Sequence, residues 1–518
     1  MSFYLGEPAY IDPYNAQESE GVQVVQALFD SLTRVDPLDS TVVMPAAAKS
    51  WSSSHGATVW TFTLNKKDQF ANGQTVKAAD FVYAWTRIVD PRTKDTRSKR
   101  TDPSNVSFLL KSVKGYKSLM ARKTKVLSGV KAVSAYTFRV TLTQACADFP
   151  YVVSHPALAP VPKSLVTGRV KYHSSRVAYG NMPIGNGPFM MYKPWSHYSL
   201  IRLKPNPHYY GAKPYLSRVD FKIYEDPDTA YADFTAGNLD FSPIAWGQMA
   251  AAKAAYGVSD NGYTVDPGKQ VLLGAENSIY YLLCNNLDPT MENPYVRKAI
   301  SLAIDRQAIC DSVFEGRRQP ADNMLPPGVA GYVKGGWADS RYDLEAAKQA
   351  LIDGGFPGGA GLPAIQLSYN NDGGHQQIMD MVRSDLAEIG LTVTTRTDDF
   401  PTYLGWLYDS DFQLGRLGWI GDYPTAENFL DALFRSDSND NLSWYENPAV
   451  DTALTSARKN TGIASRVAAY QSISAMVGAD NPVVPLMFYQ HDRVGSARLH
   501  GFTWDAQGYA DFAKAWVE

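Results

Sequence analysis

Arg416-Leu417-Gly418-Trp419-Ile420-Gly421-Asp422-Tyr423-Pro424, running on to Asn428-Phe429-Leu430, places a guanidinium and a carboxylate six positions apart around an aromatic-glycine turn. Two opposite charges beside an apolar, partly dry surface suit a small zwitterion, with Asp422 facing an ammonium and Arg416 a carboxylate. The same run also fits a surface salt bridge beside a buried Trp419. The rest of the chain has to decide between the two readings.

Around this run the periodicity is that of α/β units. Ile365 to Tyr369 alternates as a strand, Ile378, Met381, Val382, Leu386 and Ile389 form a helical stripe closed by Gly390, and Leu391-Thr392-Val393 opens another strand. Strand, helix and strand at this spacing predict a crossover in a mainly parallel or mixed sheet. Leu344 to Ile352 reads as a helix ending at Gly354-Gly355, and Gly358 to Gly361 as a surface turn. Nearer the N-terminus, a helix is expected through Val22, Val25, Leu28 and Leu32. Val59 to Leu64 alternates as a half-buried strand, and Thr75 is the expected N-cap of a helix presenting Phe81, Trp85 and Ile88.

A chain of 518 residues exceeds one ordinary core, so two or three domains are expected. Its aromatic content of 12% supplies core and also lining for a large pocket. The formal charge of −3, with no long basic run, argues against nucleic acid; Lys94, Arg97, Lys99 and Arg100 read as a solvated loop. No apolar run is long enough to cross a bilayer, and no signal peptide is visible; the abrupt opening Met1-Ser2-Phe3-Tyr4 reads as a trimmed chain would. Cys146, Cys284 and Cys310 form no CxxC, leaving open one disulfide plus a thiol or three buried thiols. Catalytic signatures fail as well. HExxH, GxSxG and zinc spacings are missing, Gly262 to Gln270 lacks the spacing of a phosphate loop, and the paired acids Asp398-Asp399 and Asp409/Asp411 read as solvated. Gly359 to Ala364 precedes a strand rather than following one, so it fails the dinucleotide context. No enzyme activity, metal or cofactor is expected.

Several ordered blocks carry a likeness to a known family. Glu7-Pro8-Ala9-Tyr10-Ile11-Asp12-Pro13, Pro45 to Trp51, Thr61 to Leu64 and Phe70 to Arg87 match in order EPxxLDP, PxLAxSW, TFxLR and FxxGxxxxAxDxxxxxxR. Pro183 to Phe189 resembles PIGTGPY with Asn186 for Thr, and Asn206 to Tyr210 resembles RNPxYW with Pro205 for Arg. Ala236 to Asp240 corresponds to AGExD, and Asn293 to Arg306 to NPxVRxALxxAIDR. Together with the Arg416–Asp422 run, the chain resembles extracytoplasmic oligopeptide- and dipeptide-binding proteins, the receptors of ABC peptide importers.

The resemblance implies an α/β, two-lobed periplasmic-binding-protein fold (class C, Venus-flytrap) with an additional α/β domain inserted in lobe one. Lobe one would comprise residues 1–42, 161–275 and 485–518, the extra domain 43–160 and lobe two 276–484, with hinges near Ala275-Glu276-Asn277 and Val484-Pro485-Leu486. An oligopeptide would be captured between closing lobes and delivered to the membrane subunits of an ABC transporter. The receptor would be a monomer, lipid-anchored through a residue preceding Met1. By residue, Asp422 would hold the α-ammonium, Gly418 would offer backbone groups by strand addition, and Arg416 would reach the carboxylate of a short peptide. Gln17 and Ser19 fall in the family's ligand-contact loop, Phe400 and Tyr403 where it places aromatic pocket walls, and His375 near a carboxylate contact. Trp419 is expected mainly to pack. An oligosaccharide or nickel-chelate binder of the same fold, and more remotely a secreted hydrolase, are the alternatives.

Overall fold

The computed structural model describes residues 1–371 and 373–518. It divides into two compact units, Met1–Gly274 with Asp492–Glu518, and Ala275–His491.

The first unit is built on a seven-stranded sheet ordered Phe189–Met191, Leu200–Pro205, Val219–Ile223, Ser2–Leu5, Phe241–Pro243, Arg493–Gly495, Val271–Leu272. The opening segment is thus a central strand, parallel to Val219–Ile223, with both neighbours supplied by distant sequence. Phe3 is its anchor, with ring centroids 5.4 Å from Phe221, 5.1 Å from Phe241 and 5.6 Å from Phe512. Aromatic clustering of this kind gives each ring apolar burial and favourable edge contacts.

A separate four-stranded antiparallel sheet of this unit joins Ala48–Ser54, Val59–Leu64, Thr137–Thr141 and Val130–Ser134. Val59–Leu64 alternates in burial as its residues predict. The helix Ala78–Val89 packs on the sheet through Phe81 and Trp85, whose rings lie 5.6 and 5.0 Å from Phe138. Its start corrects the expected cap. Lys77, not Thr75, is the N-cap, and its N–H donates to the Asp80 carboxylate at 2.8 Å, while Thr75 bridges to Gln69. Two of the sequence blocks meet here, because Arg87 donates from both terminal nitrogens to Asp12 at 2.8 and 2.7 Å and lies 4.0 Å over the Tyr14 ring. Near the N-terminus the observed helix is Ser19–Leu28, shorter than expected, with Leu32 buried beyond its end.

The second unit holds a six-stranded mixed sheet ordered Arg318–Pro320, Val483–Gln490, Ala275–Cys284, Leu414–Ile420, Ile365–Asn370, Val393–Asp398. Ile365–Asn370 and Val393–Asp398 are parallel and joined by the helix His375–Ala387, the expected crossover. Leu344–Asp353 begins where the Asp343 carboxylate accepts the Ala346 N–H at 3.0 Å. The central strand Ala275–Cys284 divides two cores. Tyr280, Leu282 and Cys284 face one, and Ile279, Tyr281 and Leu283 face the other.

The sequence reading ended this unit at residue 484, but it continues to His491. Val483–Gln490 is an inner strand, with Val484 opposite Leu282 and Pro485 opposite Tyr281, so Val484 to Leu486 lie within the sheet of the second unit rather than at its boundary. Near the boundary Ala275 pairs with Gln490, and Glu276 Oε1 lies 3.2 Å from His491 Nδ1. All three cysteines are buried thiols, which resolves the open alternative, and burial pushes Cys284 and Cys310 up to about 12. Among the described residues, no helix is long and apolar enough to cross a membrane.

Candidate functional site

Leu414–Ile420 is a strand rather than the turn read from its glycines, and this settles where its side chains point. It runs antiparallel to Ala275–Cys284, with Arg416 opposite Leu282, Gly418 opposite Tyr280 and Trp419 opposite Ile279. Side chains alternate between faces. Leu414 and Arg416 therefore share the face of Tyr280, while Leu417 and Trp419 pack with the Ile279 core.

On its other side, this strand pairs with Ile365–Asn370 only at Leu414 and Gly415. From Arg416 to Ile420, no strand among the described residues lies beside that edge. Gly421 N–H donates to Asn277 O at 2.8 Å. Antiparallel bonding alternates, so Leu417 and Trp419 also bond toward Ala275–Cys284, and Gly418 and Ile420 turn their N–H and C=O to the open edge. A side chain at Gly418 would be crowded, since an added Cβ would lie 3.3 Å from Ile279 O.

Arg416 is half-buried in a polar-aromatic cluster. Its Nη1 donates to Asn370 Oδ1 at 3.1 Å, and its guanidinium carbon lies 4.6 Å from the centre of the Tyr280 ring. The Tyr280 hydroxyl and His375 Nδ1 share a hydrogen bond of 3.1 Å, so His375 joins the cluster from the start of its helix. Burial pushes the Tyr280 phenol up and Arg416 opposes the shift. Arg416 Nε is buried without a hydrogen-bond partner, and among the described residues no carboxylate lies within ion-pair distance of this guanidinium. A guanidinium in that condition is a ready receptor for a carboxylate.

Asp422 lies just past the strand, half-buried, at the approach to the helix Ala426–Phe434. Its neighbour there is Asn428, to which the reading of the sequence gave no role. Asn428 Oδ1 accepts the Asp422 N–H at 3.0 Å and the Trp419 Nε1–H at 3.3 Å, while its Nδ2 donates to Asp422 Oδ2 at 3.2 Å. One amide thus fixes both the backbone and the carboxylate of Asp422. Gly421 allows the approach, because a Cβ there would meet the Phe429 ring at 2.9 Å. The helix itself is held by buried charges: Arg458 lies 2.8 Å from Asp431 and 3.7 Å from Glu427, which accepts the Tyr423 hydroxyl at 2.6 Å.

Tyr403 is not a pocket wall. It is fully buried in the Ile279 core, and its hydroxyl donates to the Arg416 carbonyl, so it positions that backbone. Phe400, at the start of the same helix Phe400–Tyr408, remains 37% exposed. In the first unit Gln17 is exposed, and exposed Ser19 opens the helix Ser19–Leu28, where the first N–H groups have no intrahelical acceptor. Beside them Glu18, also missed in the sequence, accepts N–H groups of Ala9 at 2.9 Å and Tyr10 at 3.2 Å. Burial pushes its carboxyl up against those hydrogen bonds. Asn428 could have been suspected from the opening run. Tyr280 and Asn370 carried no signal without the strand register.

Residues 42–441 match the family described as bacterial extracellular solute-binding proteins, family 5 Middle. The chain belongs to that family. Its curated relatives include the oligopeptide-binding protein OppA of Bacillus subtilis, 27% identical over 99% of this chain and 91% of that protein. The probable deoxycholate-binding periplasmic protein YgiS of Escherichia coli is 29% identical over 93% and 86%. Among solved structures, the periplasmic murein tripeptide-binding protein MppA in its unliganded open form superposes with a TM-score of 0.85 at 25% identity, covering 100% of this chain and 96% of that one. The two-lobed α/β solute-binding fold is therefore that of this protein.

Proposed function

We propose that this protein is an extracytoplasmic receptor that captures oligopeptides and passes them to the membrane subunits of an ABC transporter. The observation that carries the reading is the open strand edge from Arg416 to Ile420, with Arg416 at one end and Asp422 just beyond the other. A peptide laid along that edge gains main-chain hydrogen bonds at Gly418 and Ile420 whatever its sequence. Asp422, oriented by Asn428, holds its α-ammonium; Arg416 with His375 takes the carboxylate of a peptide short enough to end there. The five residues of open strand from Arg416 to Ile420 span on the order of 15 Å, the reach of a short extended peptide. Phe400 offers an apolar surface to a ligand side chain, and Trp419 packs beneath the strand. The names of relatives such as OppA and MppA support the peptide class.

A second reading, a carboxylate ligand without an amine, is favoured by one observation. Arg416 on Tyr280 makes a complete acid-binding cluster without Asp422, and one relative is named as a probable deoxycholate-binding protein. Incubation with a mixed peptide pool, followed by mass spectrometry of bound and free fractions, tests the proposal. Retention of intact peptides with free N-termini is expected. Retention of nothing from the pool would defeat it, and cleavage products would point to a hydrolase.

A further inference from the structure

We propose that the four-stranded-sheet region of the first unit docks on an anionic lipid bilayer through a cationic face centred on residues 117–126. The charge of this chain is segregated. Residues 48–177 hold 22 Lys and Arg against 6 Asp and no Glu, a formal charge of +16 in a chain whose total is −3. The imbalance at the surface is larger still, because Asp68, Asp95 and Asp148 are buried. Asp90 is engaged by Arg92 Nε at 2.7 Å, and Asp102 accepts the Tyr10 hydroxyl at 2.6 Å.

The centre of the face is the helix Tyr116–Met120 and the loop after it. Leu119 and Leu127 are fully buried and pin both ends of the segment, which leaves Lys117, Arg122, Lys123 and Lys125 exposed. Arg92 Nη2 donates to Thr124 O at 2.6 Å, joining this loop to the segment that carries Lys94 and Lys99. Among the described residues, none of the four exposed cations has a carboxylate within ion-pair distance. Lysines on an edge strand deter strand pairing, which accounts for Lys131 on Val130–Ser134 but not for a loop.

Charge alone suits any polyanion; the apolar residues between the cations select a membrane. Met120 is 36% and Val126 58% exposed, flanking Arg122, Lys123 and Lys125. Basic side chains that meet headgroups, interleaved with apolar ones that enter the acyl boundary, are the composition of an interfacial site. A receptor that serves a membrane transporter gains local concentration from such a surface, independently of which solute it carries.

Co-sedimentation of the full chain with vesicles of phosphatidylcholine alone, and of phosphatidylcholine mixed equally with phosphatidylglycerol, tests the proposal. Binding is expected only to the mixed vesicles and should weaken as salt is added. Each neutralised cation should weaken it roughly fivefold, so Arg122→Gln/Lys123→Gln/Lys125→Gln should lose on the order of a hundredfold. Circular dichroism and solute binding should remain those of the parent. Met120→Ser/Val126→Ser, which keeps every charge, should also weaken vesicle binding. Equal binding to neutral vesicles, no binding to either, full binding by the triple variant, or retention by DNA without retention by vesicles would each overturn the proposal.

Discussion

Arg87 and Arg416 are two arginines in two units of one chain, and they are treated oppositely. Arg87 is buried and its fork is filled by Asp12, an internal partner seventy-five residues away in sequence. Arg416 is half-buried, rests on an aromatic ring and an amide, and has no carboxylate partner among the described residues. A charge whose partner comes from the chain stabilises the fold. A charge left without such a partner is, in the proposed function, the one that meets a ligand.

The largest expected effect breaks the first member of this pair. Arg87→Met leaves Asp12 buried and uncompensated, and should cost about 3–5 kcal/mol of stability. The denaturation midpoint of the first unit should fall while the dissociation constant for a bound peptide is unchanged. Arg416→Met should do the reverse. Loss of a hydrogen-bonded charge contact should weaken binding of short peptides by about 1.5–3 kcal/mol, read by calorimetric titration, with a much smaller change in melting temperature than Arg87→Met. A smaller effect is expected at Asn428→Ala, which removes the amide bonded to Asp422 but keeps the carboxylate and should cost about 1 kcal/mol of affinity.

The subtlest test extends the comparison to carboxylates. Burial pushes Asp505 up to about 7, opposed by the N–H groups of Tyr509 and Gln507, with Asp511 adding to the rise. A carboxyl raised in the folded state contributes stability that is complete below its ordinary value of 3.8 and is lost as pH climbs through about 7. The melting temperature of the parent should therefore decline over that window, and Asp505→Asn should flatten the decline. An unchanged slope in the variant would assign the pH dependence to other groups, such as Asp385, which burial pushes up to about 6.

Much of this was legible in the residues because it is local. The crossover from Ile365 to Asp398 follows from periodicity, and the chain-wide blocks point to the family whose description matches residues 42–441. What stayed hidden is what depends on register or on distant partners. The glycines at 418 and 421 suggested a turn, whereas pairing with Ala275–Cys284 extends the segment and sends Arg416 and Trp419 to opposite faces. Tyr403 looked like a wall because an aromatic residue near a site reads the same whether it lines a pocket or fills a core. Val484 to Leu486 looked like a hinge because an inner strand is invisible until its neighbours are known. The net charge of −3 concealed a strongly basic region, since opposite excesses cancel in a total.

Calorimetric titration of one peptide and its N-acetylated form, against the parent and Asp422→Asn, tests the central claim most directly. Acetylation should cost the parent about 3–5 kcal/mol of affinity and should cost the variant almost nothing, because the carboxylate that meets the ammonium is already gone. Equal affinity of the parent for both forms would contradict the account.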